Sequence, residues 1–423
     1  MKILYVSQYF PPEMGAPAAR AAELSRLWVS QGHEVSVLTG FPNHPTGVVP
    51  PEYRKQFRRL VVRTCVDGVD VVRTWLLPLP NRRSWERALN YSSFFMSAAA
   101  TGTFLPRIDV VIGTSPQLLV GLAAWWIARR QGVPFIFEVR DLWPESLAAV
   151  GAGSPQSILH RTLSRVASFL YRNSDHIVVV TPAFKSYLAE HWRVPLGKMS
   201  VVENGVDTRL FSPEAEDAST RKELDAEGKF VVSYIGTMGM AHGLETLLEA
   251  ARLLQYRAPK VMFLLVGEGA EKQRLENLTK SQGLTNVRFL DQQSREHIPA
   301  YICASNAGLV MLKKAELFKT VLPTKLLEFM SCARPVILAV DGEARRIMDE
   351  AGAGIFVEPQ NASDLAAAIV QLAGDPQLCC VLGSNGRRYV ARHFARQQTA
   401  ARYIDVLENV RRPKPVEGVA AAA

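Results

Sequence analysis

Long apolar runs are missing from this 423-residue chain, and so are the cysteine patterns that staple or metallate small domains. No window of about 18 consecutive apolar residues occurs, which removes the ordinary membrane-spanning helix. The five cysteines (Cys65, Cys303, Cys332, Cys379, Cys380) are odd in number and lack CxxC spacing. That pattern argues for reduced thiols in a cytoplasmic protein and against structural zinc. Asp-x-Asp, HExxH and Cys/His clusters are also missing, so no metal site is expected. GxGxxG is absent too: Gly267-Glu268-Gly269 has Lys272 where the third glycine would stand, which disfavours a nicotinamide cofactor. A secretory signal is not expected either, because the mainly apolar stretch 3–7 runs straight into Gln8-Tyr9-Phe10-Pro11-Pro12.

Hydrophobic residues make up 48% and charged residues 21%, which is ordinary globular usage and excludes a disordered or collagen-like chain. The length allows two or three domains, two large α/β units among the options. Residues 1–205 carry 22 Lys and Arg against 14 Asp and Glu, whereas 206–423 carry 27 against 26. All seven tryptophans (Trp28, Trp75, Trp85, Trp125, Trp126, Trp143, Trp192) fall in the first part. Basic charge with amphipathic aromatics suits an anionic membrane surface or a diphosphate-bearing lipid. A solvated basic face beside a buried helix is the other reading. The densest basic stretches are 54–59 and 81–87, and the nearly uncharged 88–106 that follows suits a helix lying in the interface. Nucleic acid is not expected, since no recognition motif accompanies the charge.

Apolar runs of four to six residues alternate with helical patterns through both halves, at 3–7, 34–39, 110–114, 135–138 and 176–180, then at 230–234, 261–266, 287–290, 308–311 and 335–339. This alternation predicts βαβ units, parallel sheets and an α/β fold class with two doubly wound, Rossmann-like domains facing across a cleft. Asp67-Gly68 between two valine-rich runs predicts a hairpin, read as an antiparallel insertion. The expected boundaries are 1–205 and 206–394, with a helix over 395–412 packing back on the first domain and a disordered tail over 413–423.

Ligands of such sheets bind beyond the carboxyl ends of the strands. There the first half offers the loop 9–17, in which Gly15 permits close backbone approach and the helix start at Pro17 presents free amides to an anion. The second half offers Gly236, Thr237 and the rest of 236–243; in either loop the glycines serve a ligand or merely punctuate a turn. The densest polar group is Pro323-Thr324-Lys325-Leu326-Leu327-Glu328. Thr324 reads as the N-cap of a helix whose amides, with the Thr324 hydroxyl and the Lys325 ammonium, bind a diphosphate. Glu328, one turn on, accepts the two hydroxyls of a ribose; a capped helix with a solvated lysine and glutamate is the plainer alternative. Past the 135–138 run, Glu138-Val139-Arg140-Asp141-Leu142-Trp143-Pro144 supplies two carboxylates as acid/base candidates. Glu138 pairing with Arg140 is the structural alternative. His44, in the loop 42–47, is the histidine placed to reach the cleft, and Asp291 lies in a loop bordering the base.

Taken in order, the segments 9–13, 32–39, 42–47, 138–144, 203–207, 236–239 and 323–330 resemble those of the retaining GT-B glycosyltransferases of family 4, over essentially the whole chain. Within that family the chain is most similar to bacterial surface-polysaccharide enzymes, the O-antigen N-acetyl-L-fucosamine and colanic-acid transferases. The resemblance implies a GT-B fold, an acceptor-side first domain, a nucleotide-sugar-binding second domain and a hinge at 203–207. It implies glycosyl transfer with retention from a nucleotide diphosphate sugar, metal-independent and with no cofactor besides that substrate. A UDP-sugar is favoured over a GDP-sugar by resemblance alone. The implied acceptor is an undecaprenyl-diphosphate-linked saccharide, reached by peripheral contact with the anionic inner face of the cytoplasmic membrane.

Carried onto this sequence, the catalytic carboxylate is Glu138 or Asp141. The donor side takes Gly15, Gly236, Thr237, Asp291, Glu316, Thr324, Lys325 and Glu328, and the acceptor side takes Glu13, Arg20, His44, Arg140 and Trp143. Eight residues before Glu328 the wider family has a second glutamate, but this chain has Thr320; either Glu316 substitutes or the contact is missing. Thr237 and His242 stand where relatives have arginine and lysine, so phosphate neutralisation shifts to Lys325. A nucleotide-sugar epimerase and an inactive binding subunit of polysaccharide assembly are the alternatives.

Overall fold

Strands β1 (Lys2–Val6), β2 (Glu34–Gly40), β3 (Val61–Val66), β4 (Val69–Thr74), β5 (Val110–Thr114), β6 (Phe135–Val139), β7 (His176–Val179) and β8 (Met199–Val201) build the first sheet. Their order is β3-β4-β2-β1-β5-β6-β7-β8 in the computed structural model, which describes residues 1–44, 46–80, 83–149, 151, 154, 156–215 and 218–411. The second sheet holds β9 (Phe230–Ile235), β10 (Val261–Val266), β11 (Val287–Leu290), β12 (Ala307–Met311), β13 (Val336–Ala339) and β14 (Gly354–Phe356), in the order β11-β10-β9-β12-β13-β14. The strand order reverses between β1 and β5 and again between β9 and β12. Those switch points open a crevice at the carboxyl ends of each sheet. The expected tail at 413–423, and Pro45, Asn81 and Arg82 of the motifs above, lie outside the described residues.

The strands read as unbroken apolar runs because helices cover both faces: β5, β6, β10 and β12 are buried at every position. The hairpin departs from expectation in one respect. It turns at Asp67 and Gly68, whose φ values are both positive, 51° and 79°, as a two-residue hairpin loop requires. Only β3 is antiparallel, however; β4 pairs in parallel with β2, from Ser36 opposite Asp70 to Gly40 opposite Thr74. The reason is apolar content: five of six β4 residues are buried inside the sheet, and none of β3 is.

The chain crosses between the units twice, and the two crossings are zipped together. Val206 N–H donates to Phe394 O and Arg396 N–H donates to Val206 O, both at 2.9 Å. The helix Arg396–Arg411 then lies on the helix Ala16–Ser30 of the first unit. Trp28 holds it there: the indole N–H donates to Ala400 O at 3.1 Å, and the ring meets Tyr403 edge-on at 5.2 Å. Among the described residues no single helix is long and apolar enough to cross a membrane.

Candidate active site

The floor of the first crevice is a buried ion pair. Glu138, near the end of β6, is fully buried, and Oε1 accepts from Arg20 Nε at 3.0 Å and Nη2 at 2.9 Å. Oε2 accepts from the Tyr5 hydroxyl at 2.5 Å and the Thr114 hydroxyl at 2.8 Å. Burial alone would raise its pKa, but the Arg20 and Arg140 charges and these hydrogen bonds hold it below the usual carboxylate range. This corrects two expectations. Glu138 is a saturated counterion with no route to a substrate proton, and Arg20, 1% exposed, is not an acceptor contact. Arg20 instead reaches the first crossing segment, donating to Asn204 Oδ1 at 3.1 Å and Val202 O at 3.3 Å.

Asp141, the other carboxylate candidate, stands two residues past β6. Ser115 Oγ accepts from the Arg140 and Asp141 backbone amides at 2.7 and 3.2 Å, which fixes the strand exit. The Asp141 carboxylate accepts from Trp143 Nε1 at 3.0 Å and from the Ser146 hydroxyl. Burial pushes its pKa up, against those two bonds. Trp143 therefore spends its indole N–H on orienting Asp141. Arg140 is not hydrogen-bonded to Glu138: its Nε and Nη1 are buried without a partner, and burial lowers its pKa even though Glu138 pulls the other way. A buried, unmatched guanidinium beside a carboxyl of raised pKa is an anion-ready corner.

Glu13 ties the loop 9–17 to the loop 42–47. Its Oε1 accepts from the Asn43 and His44 amides, both at 3.0 Å, Oε2 has no partner, and burial pushes the carboxyl up to about 7. The His44 ring lies 5.1 Å from Tyr9, and burial lowers its pKa. Gly15 is the N-cap of the helix Ala16–Ser30 at φ 128°, a conformation that favours glycine, and a Cβ there would meet Pro17 at 3.8 Å.

Across the crevice, Lys325 is the unmatched charge of the second unit. Its Nζ sits 3.7 Å from the centre of the Tyr234 ring, buried and without a hydrogen-bond partner. Desolvation brings its pKa down to about 7. Gly236, at φ 136°, leaves the approach to that nitrogen clear; a Cβ there would stand 3.2 Å from it. The Thr237 carbonyl accepts from the Tyr234 hydroxyl at 2.6 Å, while the Thr237 side chain is exposed. His242 supplies no charge: burial and the nearby Lys325 lower its pKa to about 3. Thr324 is not the N-cap. Pro323 takes that place with extended backbone at φ −64° and ψ 127°, so Thr324 enters as the first helical residue of Thr324–Ser331.

Glu328 is not solvated, since Oε1 accepts from Arg295 Nη1 at 2.9 Å. Arg295 also donates through Nε to Glu23 of the first unit at 2.9 Å, and sequence reasoning missed it because no motif marks it. Tyr234 was missed as well, although an aromatic just before Gly236 at the end of β9 was a usable signal. Two further expectations change. Glu316, the candidate to replace the glutamate missing at Thr320, turns its side chain to solvent, 88% exposed, and pairs with Lys319 one turn on, at 2.8 Å. Its turn, Glu316–Thr320, is an interdomain contact, in which Thr181 Oγ1 donates to Thr320 O at 2.9 Å and Leu317 packs on the first core. Asp291 bonds Lys272, whose ammonium also holds Glu268 at 2.6 Å, and is not joined to the Lys325 group.

Two family matches tile the two units. Residues 216–389 match "Glycosyl transferases group 1" and residues 15–205 match "Glycosyl transferase 4-like domain". The chain belongs to the group 1 glycosyltransferases. This glycosyltransferase is 25% identical to WcaI of Escherichia coli K12, a protein named for glycosyl transfer in colanic acid biosynthesis, across 96% of the chain and 99% of the relative. In fold it resembles the sucrose-phosphate synthase of Thermosynechococcus elongatus (TM-score 0.76, 21% identity, 96% and 98% of the two chains). It also resembles Anabaena HepE in complex with UDP-glucose (TM-score 0.73, 17% identity, 97% and 100%). Those structures place this glycosyltransferase among two-domain GT-B folds.

Lys325→Met is expected to stabilise the unliganded glycosyltransferase, because the folded state disfavours the charged lysine. The sign follows from its depressed pKa: below about 7 the buried ammonium is charged and its cost is full. That cost fades as the pH rises toward the unfolded lysine value of about 10.4. Thermal melting of both proteins at pH 6, 8 and 10 checks this, and the gain from methionine should shrink with pH.

Proposed function

We propose that this glycosyltransferase moves a sugar, N-acetyl-L-fucosamine or a related deoxy or amino sugar, from a UDP-sugar to a lipid-linked saccharide, with retention and without a metal ion. The observation that carries the proposal is the Lys325 ammonium, buried without a hydrogen-bond partner beside Gly236 and one residue into the helix that bears Glu328. A diphosphate placed there meets that charge, the free amides of the helix start and the Thr324 hydroxyl. Glu328 one turn later faces the ribose. The names of relatives support the choice of substrates: WcaI is named for an exopolysaccharide, and HepE is described in complex with UDP-glucose.

In the reaction the bond between the anomeric carbon and the diphosphate oxygen breaks, and a bond to the acceptor oxygen forms on the same face. The acceptor proton passes to the departing diphosphate, so no enzyme nucleophile is required. Lys325 neutralises the charge that develops on the leaving group. Asp141, held by Trp143 and Ser146, accepts a hydrogen bond from the acceptor hydroxyl and orients it, and Arg140 offers its unmatched N–H groups to an anionic part of the acceptor.

The membrane part of the proposal rests on the helix Ser84–Thr103. It buries Phe94, Ala98 and Gly102 inward and turns Trp85, Leu89 and Met96 outward, with Phe104 just beyond its end. Exposed Trp126 and the adjoining Arg129 and Arg130 lie on the neighbouring helix Leu118–Gln131. Apolar anchors ringed by arginine fit an anionic bilayer surface. On this reading the protein works at the inner face of the cytoplasmic membrane, where a lipid-diphosphate saccharide would be presented.

Two outcomes are expected. Asp141→Asn should lower kcat by about a hundredfold or more and leave UDP binding intact, whereas Glu138→Gln should lower the melting temperature because it half-empties a buried ion pair. Steady-state transfer assays with melting curves check this, and an Asp141→Asn enzyme of full kcat would remove Asp141 from the mechanism. The protein should float with anionic but not neutral liposomes, and Met96→Asp with Phe104→Asp should abolish flotation; failure to float with anionic vesicles would refute the membrane assignment.

A further inference from the structure

Arg295 lies in the segment between β11 and the helix Ile298–Cys303, and its guanidinium serves two carboxylates that belong to different domains. Nη1 donates to Glu328 Oε1 and Nε donates to Glu23 Oε1, each at 2.9 Å. Glu23 in turn accepts through Oε2 from Arg396 Nε at 2.7 Å, at the start of the helix that returns to the first unit. The chain Glu328–Arg295–Glu23–Arg396 thus runs from the second domain to the first. It is enclosed throughout: side-chain exposure is 15% at Glu328, 28% at Arg295, 9% at Glu23 and 4% at Arg396. Phe211, fully buried, lies under the fork at 4.8 Å and fixes its plane. Burial opposes the charge on Arg295, but the two carboxylates overcome it and raise its pKa; on Glu23 the two arginines likewise prevail over burial and lower it.

We infer that Arg295 is a positioning residue that makes recognition of the donor ribose depend on the relative position of the two domains. This rests on the assignment of Glu328 to the ribose. Arg295 occupies only Oε1 of Glu328, and no protein group among the described residues bonds Oε2. One carboxylate oxygen is therefore held in place while the other is left for a hydroxyl. A planar fork with divergent N–H groups holds its two carboxylates at a fixed angle to one another, a rigidity that the freely rotating ammonium of a lysine lacks. Because the second leg ends on Glu23, a shift of the helix Ala16–Ser30 away from this segment either breaks that leg or drags Arg295 and Glu328 with it. Ribose binding and domain register then stabilise each other by the same factor.

The test uses calorimetric titration of the full chain with UDP and with 2′,3′-dideoxy-UDP, in the wild type and in Glu23→Gln, with melting curves to confirm folding. Glu23 touches Arg295 and Arg396 but belongs to the domain opposite Glu328. Its substitution is expected to weaken UDP about fivefold or more while leaving the dideoxy nucleotide unchanged. Should Glu23→Gln melt too low to titrate, Arg295→Met, which leaves Glu23 paired with Arg396, should give the same selective loss. Equal weakening of both nucleotides, or unchanged UDP binding, would overturn the inference and leave the ribose assignment standing. Wild-type protein that binds the two nucleotides equally would instead overturn the ribose assignment, and the inference with it.

Discussion

One helix carries the two charges on which both halves of the protein depend. Arg20 and Glu23 stand three residues apart on Ala16–Ser30, hence on one face, and both are buried. Arg20 turns to Glu138 and the first crossing segment; Glu23 turns to Arg295 and Arg396. Removing one partner from a buried pair of this kind costs about 3–5 kcal/mol, because the other charge is left uncompensated. The helix therefore registers the first sheet, the hinge and the second domain against one another. Its N-terminus at Gly15 meanwhile faces the crevice.

Charges in the crevice divide into those that are matched and those that are not. Glu138, Arg20, Glu23 and Arg396 have close partners of opposite sign and organise the scaffold. Lys325 and Arg140, one on each side of the cleft, have buried nitrogens without hydrogen-bond partners and, unlike Arg396, make no close ion pair among the described residues. An unmatched buried cation destabilises the free protein, and an anion that enters recovers that cost. Asp141 lies between these extremes, oriented by Trp143 and Ser146 with its pKa raised by burial. The charges proposed to act on substrates are thus the desolvated ones, and the charges that join the scaffold are neutralised.

Much of the scaffold was legible in the sequence, since apolar runs between helical patterns mark parallel strands covered on both faces. The grouping of Gly236 with Lys325 at a helix start was legible too, because a loop glycine and a lysine beside a helix start stand out in the sequence. The different surroundings of Glu138 and Asp141 were not. Both follow the same apolar run, and what separates them is that Tyr5, Arg20 and Thr114, distant in sequence, converge on Glu138. Arg295 was invisible for the same reason: its partners lie 272 and 33 residues away. Glu316 misled through proximity along the chain, although its side chain points to solvent. The N-cap was misplaced by one residue because the fixed φ of Pro323 lets it fill the position in which threonine is usually favoured.

Lys325, buried without a hydrogen-bond partner, is proposed as the seat of a nucleotide diphosphate. The most direct measurement is thermal melting of wild type and Lys325→Met against UDP, GDP, TDP and CMP, each repeated with EDTA. At about 100 times its dissociation constant a ligand stabilises by about 2.7 kcal/mol, a readily measured shift. A shift with UDP that survives EDTA in the wild type and is lost in Lys325→Met is expected. An undiminished UDP shift in Lys325→Met would contradict it.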